Sequence, residues 1–173
     1  MILGMSTATY TLLHVLISLA GIGSGLVVLY GLITGKRLNG WTAVFLTTTA
    51  LTSISGFGFP FDHLLPSHKV GIISLVVLAA TIPARYLFHM EGSWRSVYVI
   101  GSALALYLNV FVLVVQSFMK VPALKALAPT QKEPPFLVAQ LAVSLAFIWL
   151  TILAAKRFRI GTARAAASGT SLS

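Results

Sequence analysis

The sequence predicts an all-α polytopic membrane protein: a five transmembrane helix bundle with its N-terminus outside and its C-terminus cytoplasmic. Three observations predict it. Five apolar runs, 10–34, 41–59, 70–88, 96–119 and 136–155, approach or exceed the roughly 20 residues that cross a bilayer. Of the 173 residues 57% are hydrophobic and only 9% charged, whereas soluble domains run at about 25% charged. Finally, Lys and Arg divide unevenly between the two sides of such a bundle. One side holds Lys36, Arg37, Arg85, Arg95, Lys156, Arg157, Arg159 and Arg164; the other holds Lys69, Lys120, Lys125 and Lys132. Short cytoplasmic loops carry the excess, which sets the orientation and places Trp41 and Trp94 at the inner interface and Tyr10 at the outer one.

The same composition excludes whole classes of function. A net charge of +9 invites nucleic acid, but the cations stand singly or in pairs beside apolar runs and form no face that follows a phosphate backbone. With no cysteine there is no disulfide, iron–sulfur cluster, thiolate zinc site or CxxCH haem attachment. No GxSxG, HExxH or phosphate loop is present, and the three acids do not pair on one helix. Residues 1–9 lack the positive n-region of a signal peptide, and the first span is read as retained. The expected organisation is one transmembrane domain, 1–160, and a disordered cytoplasmic tail, 161–173, of Ala, Ser, Gly and Thr.

In the first span His14, Ser18, Gly21 and Gly25 fall within about 60° of one another at 100° per residue. Gly21 and Gly25 form a small-xxx-small pair that admits another helix closely, which turns His14 into the bundle. Thr48, Thr52 and Ser55 share a face of the second span, where hydroxyls satisfy themselves on carbonyls of the preceding turn. The third span is expected to start after Ser67 as N-cap, with His68 in the first turn, where the helix dipole disfavours imidazolium. Pro83 should kink or end it. The join 85–95 reads as a charged cytoplasmic loop.

On the fourth span Tyr98, Ser102, Ala105, Asn109, Val112 and Gln116 form one stripe within about 80°, with Asn109 near the midplane. Facing lipid, an amide there leaves polar groups unpaired at a cost of several kcal/mol, so the stripe must face helices or a cavity. Gln140, Ser144 and Thr151 form a similar stripe on the fifth span. Between these spans four prolines prevent one continuous helix over 120–135. Residues 121–128 are expected to form a short helix, a lid over the outer ends that brings Gln131 and Glu133 near the first outer loop.

The stretch 56–71, Gly-Phe-Gly-Phe-Pro-Phe-Asp-His-Leu-Leu-Pro-Ser-His-Lys-Val-Gly, holds one of the three acids and two of the four histidines. In the proposed topology His14, Asp62, His63 and His68 gather at the outer face, and Glu133 and Gln116 reach the same level. These residues suffice for a divalent metal, and His14 with His68 for a b-type haem held from two helices. No spacing among them matches a metal motif: His63 and His68 are five apart across a proline, unlike the i, i+4 pair of a helical zinc site.

Residues 52–75 and 108–136, in particular Gly-Phe-Gly-Phe-Pro-Phe, Pro-Ser-His-Lys-Val-Gly-Ile-Ile-Ser-Leu and Ala-Leu-Ala-Pro-Thr-Gln-Lys-Glu-Pro-Pro-Phe, resemble a group of small bacterial inner-membrane proteins. The resemblance implies that location and carries no reaction or catalytic residue. Three functional classes follow. A redox or metal-handling protein would use the outer histidines. A carrier or binding protein for a small lipophilic molecule such as a quinone would use the Asn109 and Gln140 stripes. An accessory subunit would use the Gly21 and Gly25 face toward other membrane proteins or a second copy.

Overall fold

The structure, a computed structural model, describes residues 4–59 and 66–158. Among these the regular structure is entirely α-helical: α1 (Thr7–Ile33), α2 (Asn39–Gly56), α3 (Pro66–Tyr86), α4 (Trp94–Lys120), the short α5 (Pro122–Leu127) and α6 (Pro134–Arg157). Asp62, His63, Arg159, Arg164 and the tail 161–173 lie outside the described residues.

Four helices are long and apolar enough to cross a membrane: Thr7–Ile33, His68–Tyr86, Trp94–Lys120 and Pro134–Arg157. Their large apolar side chains point outward, among them Leu12, Leu16 and Leu26 of α1, Ile73 and Val76 of α3, and Val138, Leu141, Trp149 and Ile152 of α6. In water so much exposed apolar surface would drive association, and facing acyl chains it is at no disadvantage. This is a membrane-spanning protein. The second predicted run does not meet the same criterion. Its helix has 18 residues, about 27 Å at 1.5 Å per residue, and carries Thr or Ser at seven of them (Thr42, Thr47, Thr48, Thr49, Thr52, Ser53, Ser55).

α4 is the hub, touching α1, α3, α5 and α6, while α2 bridges α1 and α3. α1 and α2 run antiparallel with their backbones close along the whole length. A Cβ on Gly31 would meet Leu38 at 2.8 Å, one on Gly25 would meet Leu106 Cδ1 at 2.6 Å and Phe45 Cε2 at 2.8 Å, and one on Gly21 would meet Thr48 Oγ1 at 3.2 Å. Near the far end the Tyr10 hydroxyl donates to the Ser55 carbonyl at 2.7 Å. The small-residue face read from the sequence is therefore in contact, with Gly25 its tightest point. A second close approach is Gly101 of α4 against Thr81 of α3, and Gly101 with Ala105 forms another small-xxx-small pair in the sequence.

Most of the core gathers toward the end of the bundle that carries Arg85. Leu29, Leu32, Phe45, Leu46, Leu78, Ala84, Tyr98, Val99, Leu106, Ala154 and Phe158 are all buried there or at mid-bundle. The join that read as a charged loop is more structured than expected. α3 continues through Pro83 to Tyr86, because a proline one turn from a helix end removes a single hydrogen bond. Arg85 is consequently buried, donating to Asn39 Oδ1 and to Met90 Sδ and lying 4.9 Å from the Tyr98 ring centroid. Arg95 reaches the carbonyls of Ala155 and Phe158 at the end of α6, where a cation meets the negative end of the helix dipole.

Gly25→Leu is expected to destabilise the protein by about 1–3 kcal/mol or more, since the added side chain must displace Phe45 and Leu106. Leu26→Ala, on the lipid face, should change stability little. Thermal unfolding of both variants in one detergent checks this; equal shifts would remove the close-packed face.

Candidate functional site

At the end opposite Arg85 the four helices α1 to α4 do not close on one another. They leave a cavity of about 650 Å³. Its walls are Thr11, His14, Ser18 and Ile22 of α1, Thr52, Ser53 and Phe57 at the end of α2, His68, Gly71 and Ser74 of α3, and Asn109, Val112, Gln116 and Lys120 of α4. Most of the lining is apolar, with polar groups set into it at intervals.

The α4 stripe explains why the cavity lies at this end. Tyr98, Ser102 and Ala105 are buried in the core, and the same face continues into the cavity wall with Asn109, Val112 and Gln116. Asn109 stands at the floor, where its amide donates to Thr49 Oγ1 at 3.1 Å just above the Gly25, Phe45 and Leu106 contact. Ser53 donates to Ser74 Oγ at 3.0 Å, closing α2 on α3 at a similar depth.

His14 and His68 enter the cavity from different helices. The His14 ring sits edge-on to Phe59, 5.3 Å between centroids, and its Nδ1 is 2.8 Å from Ser55 Oγ. The Ser55 hydroxyl also lies 3.2 Å from the Thr52 carbonyl, and which of the two, His14 Nδ1 or Ser55 Oγ, donates depends on the tautomer of the ring. His68 is buried in the first turn of α3, with its ring 5.5 Å from that of Phe57. α3 starts at Pro66, so Ser67 lies inside the first turn instead of preceding the helix. The cavity thus brings together His14, His68, Asn109 and Gln116 of the residues singled out in the sequence.

Other candidates lie elsewhere. Gln140 donates to the Phe111 carbonyl, and the Ser144 and Tyr107 hydroxyls meet at 3.0 Å. That stripe joins α6 to α4 on the side away from the cavity, because α4 offers a different face to each neighbour. α5 forms where the short helix was expected, and the loop after it is tied to α4 by Gln131 donating to the Val115 carbonyl. Glu133 takes hydrogen bonds from the Thr130 hydroxyl and the backbone N–H groups of Thr130 and Lys132. Desolvation is the largest single influence and would raise its pKa, but these bonds together outweigh it and hold the carboxyl below its ordinary value. Among the described residues no three His, Asp, Glu or Cys side chains form a group that could hold a metal.

Sequence reasoning missed Lys120 and the Ser53 and Ser74 pair as cavity residues. Lys120 reads as an ordinary interfacial cation, and single serines in apolar helices carry no signal of their partner. A smaller hollow of about 220 Å³ lies under α5, between Phe118, Met119, Lys125, Pro129, Thr130 and Gln131. No protein-family model, curated protein or solved structure matches this chain.

Asn109→Leu should cost on the order of 0.6 kcal/mol for the lost interhelical hydrogen bond, and Thr49→Val about the same. The double variant should cost less than the sum. Additive losses in a double-mutant cycle read by thermal unfolding would show that the two side chains are uncoupled.

Proposed function

We propose that this protein crosses a bacterial inner membrane five times and binds a small lipophilic molecule with a polar head in the cavity at the outer ends of α1 to α4. The observation that carries the reading is the cavity. Its volume of about 650 Å³ is that of small-molecule sites, and apolar walls with a few convergent polar groups are how such sites hold and orient a ligand. Toward the Arg85 end the packed core closes it, which favours binding or presentation of a ligand over an open pore.

α2 is the fifth span in this reading. It follows α1 from Leu38 beside Gly31 to Ser55 beside Tyr10 and His14, and therefore traverses the same slab. Its buried residues include Thr42, Thr49 and Ser53, while Trp41, Val44, Leu51 and Ile54 are exposed. Of the seven residues with hydroxyls that depress its hydropathy only Thr47 is exposed, so the exposed face of the helix is largely apolar. The excess of Lys and Arg at the Arg85 end supports a cytoplasmic location for that end and an external one for α5. The likeness of 52–75 and 108–136 to bacterial inner-membrane proteins supports the choice of membrane.

A second reading, a b-type haem or a divalent metal in a redox role, is favoured by one observation. His14 and His68 reach one cavity from two helices, and a neutral imidazole is the form that binds a metal or haem iron.

Protein purified in mild detergent should carry a lipophilic molecule in near-stoichiometric amount in its organic extract, and Val112→Trp, which fills the cavity, should abolish it without loss of folding. An extract with nothing beyond bulk lipid in both forms would refute the reading, and a Soret band would transfer it to haem. The chain has no cysteine, so single cysteines report topology: Lys125→Cys should react with an impermeant maleimide on intact cells and His89→Cys only after permeabilisation. Equal reactivity of the two would overturn the five-span arrangement.

A further inference from the structure

We infer that the cavity selects an amphiphile with an anionic head, a medium-chain carboxylate, held at the mouth by Lys120 and Gln116 with its chain directed toward Asn109. This rests on the cavity being a ligand site. The ionisable side chains that line it among the described residues are His14, His68 and Lys120, and none is an acid. Lys120 therefore brings a fixed positive charge to the mouth of the hollow.

The hydrogen-bonding pattern points the same way. Asn109, Ser18, Ser53 and His14 are each bonded to a neighbouring group. The side chains of half-buried Gln116 and exposed Lys120 line the cavity one helical turn apart, and neither makes a hydrogen bond to another described residue. Two donors four residues apart on one helix face can converge on a single head group, and an ammonium with an amide N–H suits a carboxylate, whose charge-assisted bonds are roughly twice as strong as neutral ones. From Lys120 to Asn109 is eleven residues, about 16 Å at 1.5 Å per residue. The wall over that depth is apolar at Leu108, Val112 and Leu113, a sleeve for an alkyl chain.

The test compares labelled dodecanoate with labelled dodecanol, which share a chain and differ in head charge, on the full-length protein in nanodiscs of zwitterionic lipid with empty discs subtracted. Dodecanoate should bind at least about tenfold more tightly than dodecanol. Lys120→Gln should abolish that preference with dodecanol binding unchanged, and Lys125→Gln, off the cavity wall, should keep it. Equal affinity for acid and alcohol in the unaltered protein, or a preference that survives Lys120→Gln, would overturn the anionic head while leaving a lipophile site in place. Tighter binding of a short-chain neutral quinone than of dodecanoate would also overturn it. Failure of dodecanoate, dodecanol and the quinone alike to bind, with Val112→Trp indistinguishable from the unaltered protein, would remove the cavity as a ligand site altogether.

Discussion

Two missing side chains decide how this bundle divides. At Gly25 the α1 backbone admits Phe45 of α2 and Leu106 of α4, and at Gly21 it lies beside Thr48, Thr49 and Asn109. In a bilayer no hydrophobic effect draws helices together, since acyl chains are as apolar as Leu; close packing and interhelical hydrogen bonds do so. The three helices are therefore drawn tightest at mid-bundle. Toward Arg85 large side chains fill the space that remains, and in the other direction they do not.

The Arg85 end meets its buried cation without an acid among the described residues. Only three carboxylates exist in the chain, and no acid pairs with Arg85 among the described residues. A buried cation is costly unless its donors are met, and Arg85 is met by an amide oxygen, a thioether and the face of Tyr98. Cation–π contact of this kind contributes about 0.5–2 kcal/mol, more when desolvated. Tyr98 also meets the Thr42 hydroxyl, so one aromatic ring links α2, α3 and α4 at this end. The loop from Phe88 to Trp94, whose rings stack at 4.0 Å, holds Met90 against the guanidinium. His89 and Met90 adopt positive φ there, a backbone conformation that tertiary contacts must sustain.

Much of this was legible in the sequence, because a membrane makes hydropathy and polarity strict. The long apolar runs became helices, the Gly21 and Gly25 face became a contact, and the Asn109 stripe faced inward as the cost of a lipid-exposed amide requires. What was illegible depends on which helix meets which face. Gln140 and Asn109 look alike in sequence, yet α6 packs against α4 at Tyr107 and Phe111, leaving Gln140 as a tie between helices and Asn109 as a cavity floor. Arg85 read as a loop residue because Pro83 suggested an early end to α3, whereas one proline in a last turn is tolerated. The cavity itself has no sequence signature: a void is where side chains fail to meet, and that depends on distances between helices. Asp62 and His63 fall outside the described residues, so the expected outer cluster is drawn here only through His14 and His68.

The cavity and the core differ in a way that stability alone does not account for. Walls that face a void forgo the dispersion contacts they would make with a neighbour, and the chain already contains the residues that fill such space, as Phe45, Leu78 and Leu106 do in the other half. Along α4 the change is abrupt. Up to Asn109 the stripe is buried or bonded, with Ser102 Oγ left without a partner, while the side chains of Gln116 and Lys120 line the hollow without a hydrogen bond to any described residue. Here the stripe continues for two further turns along an apolar wall, with the Gln116 amide and the Lys120 cation at its mouth.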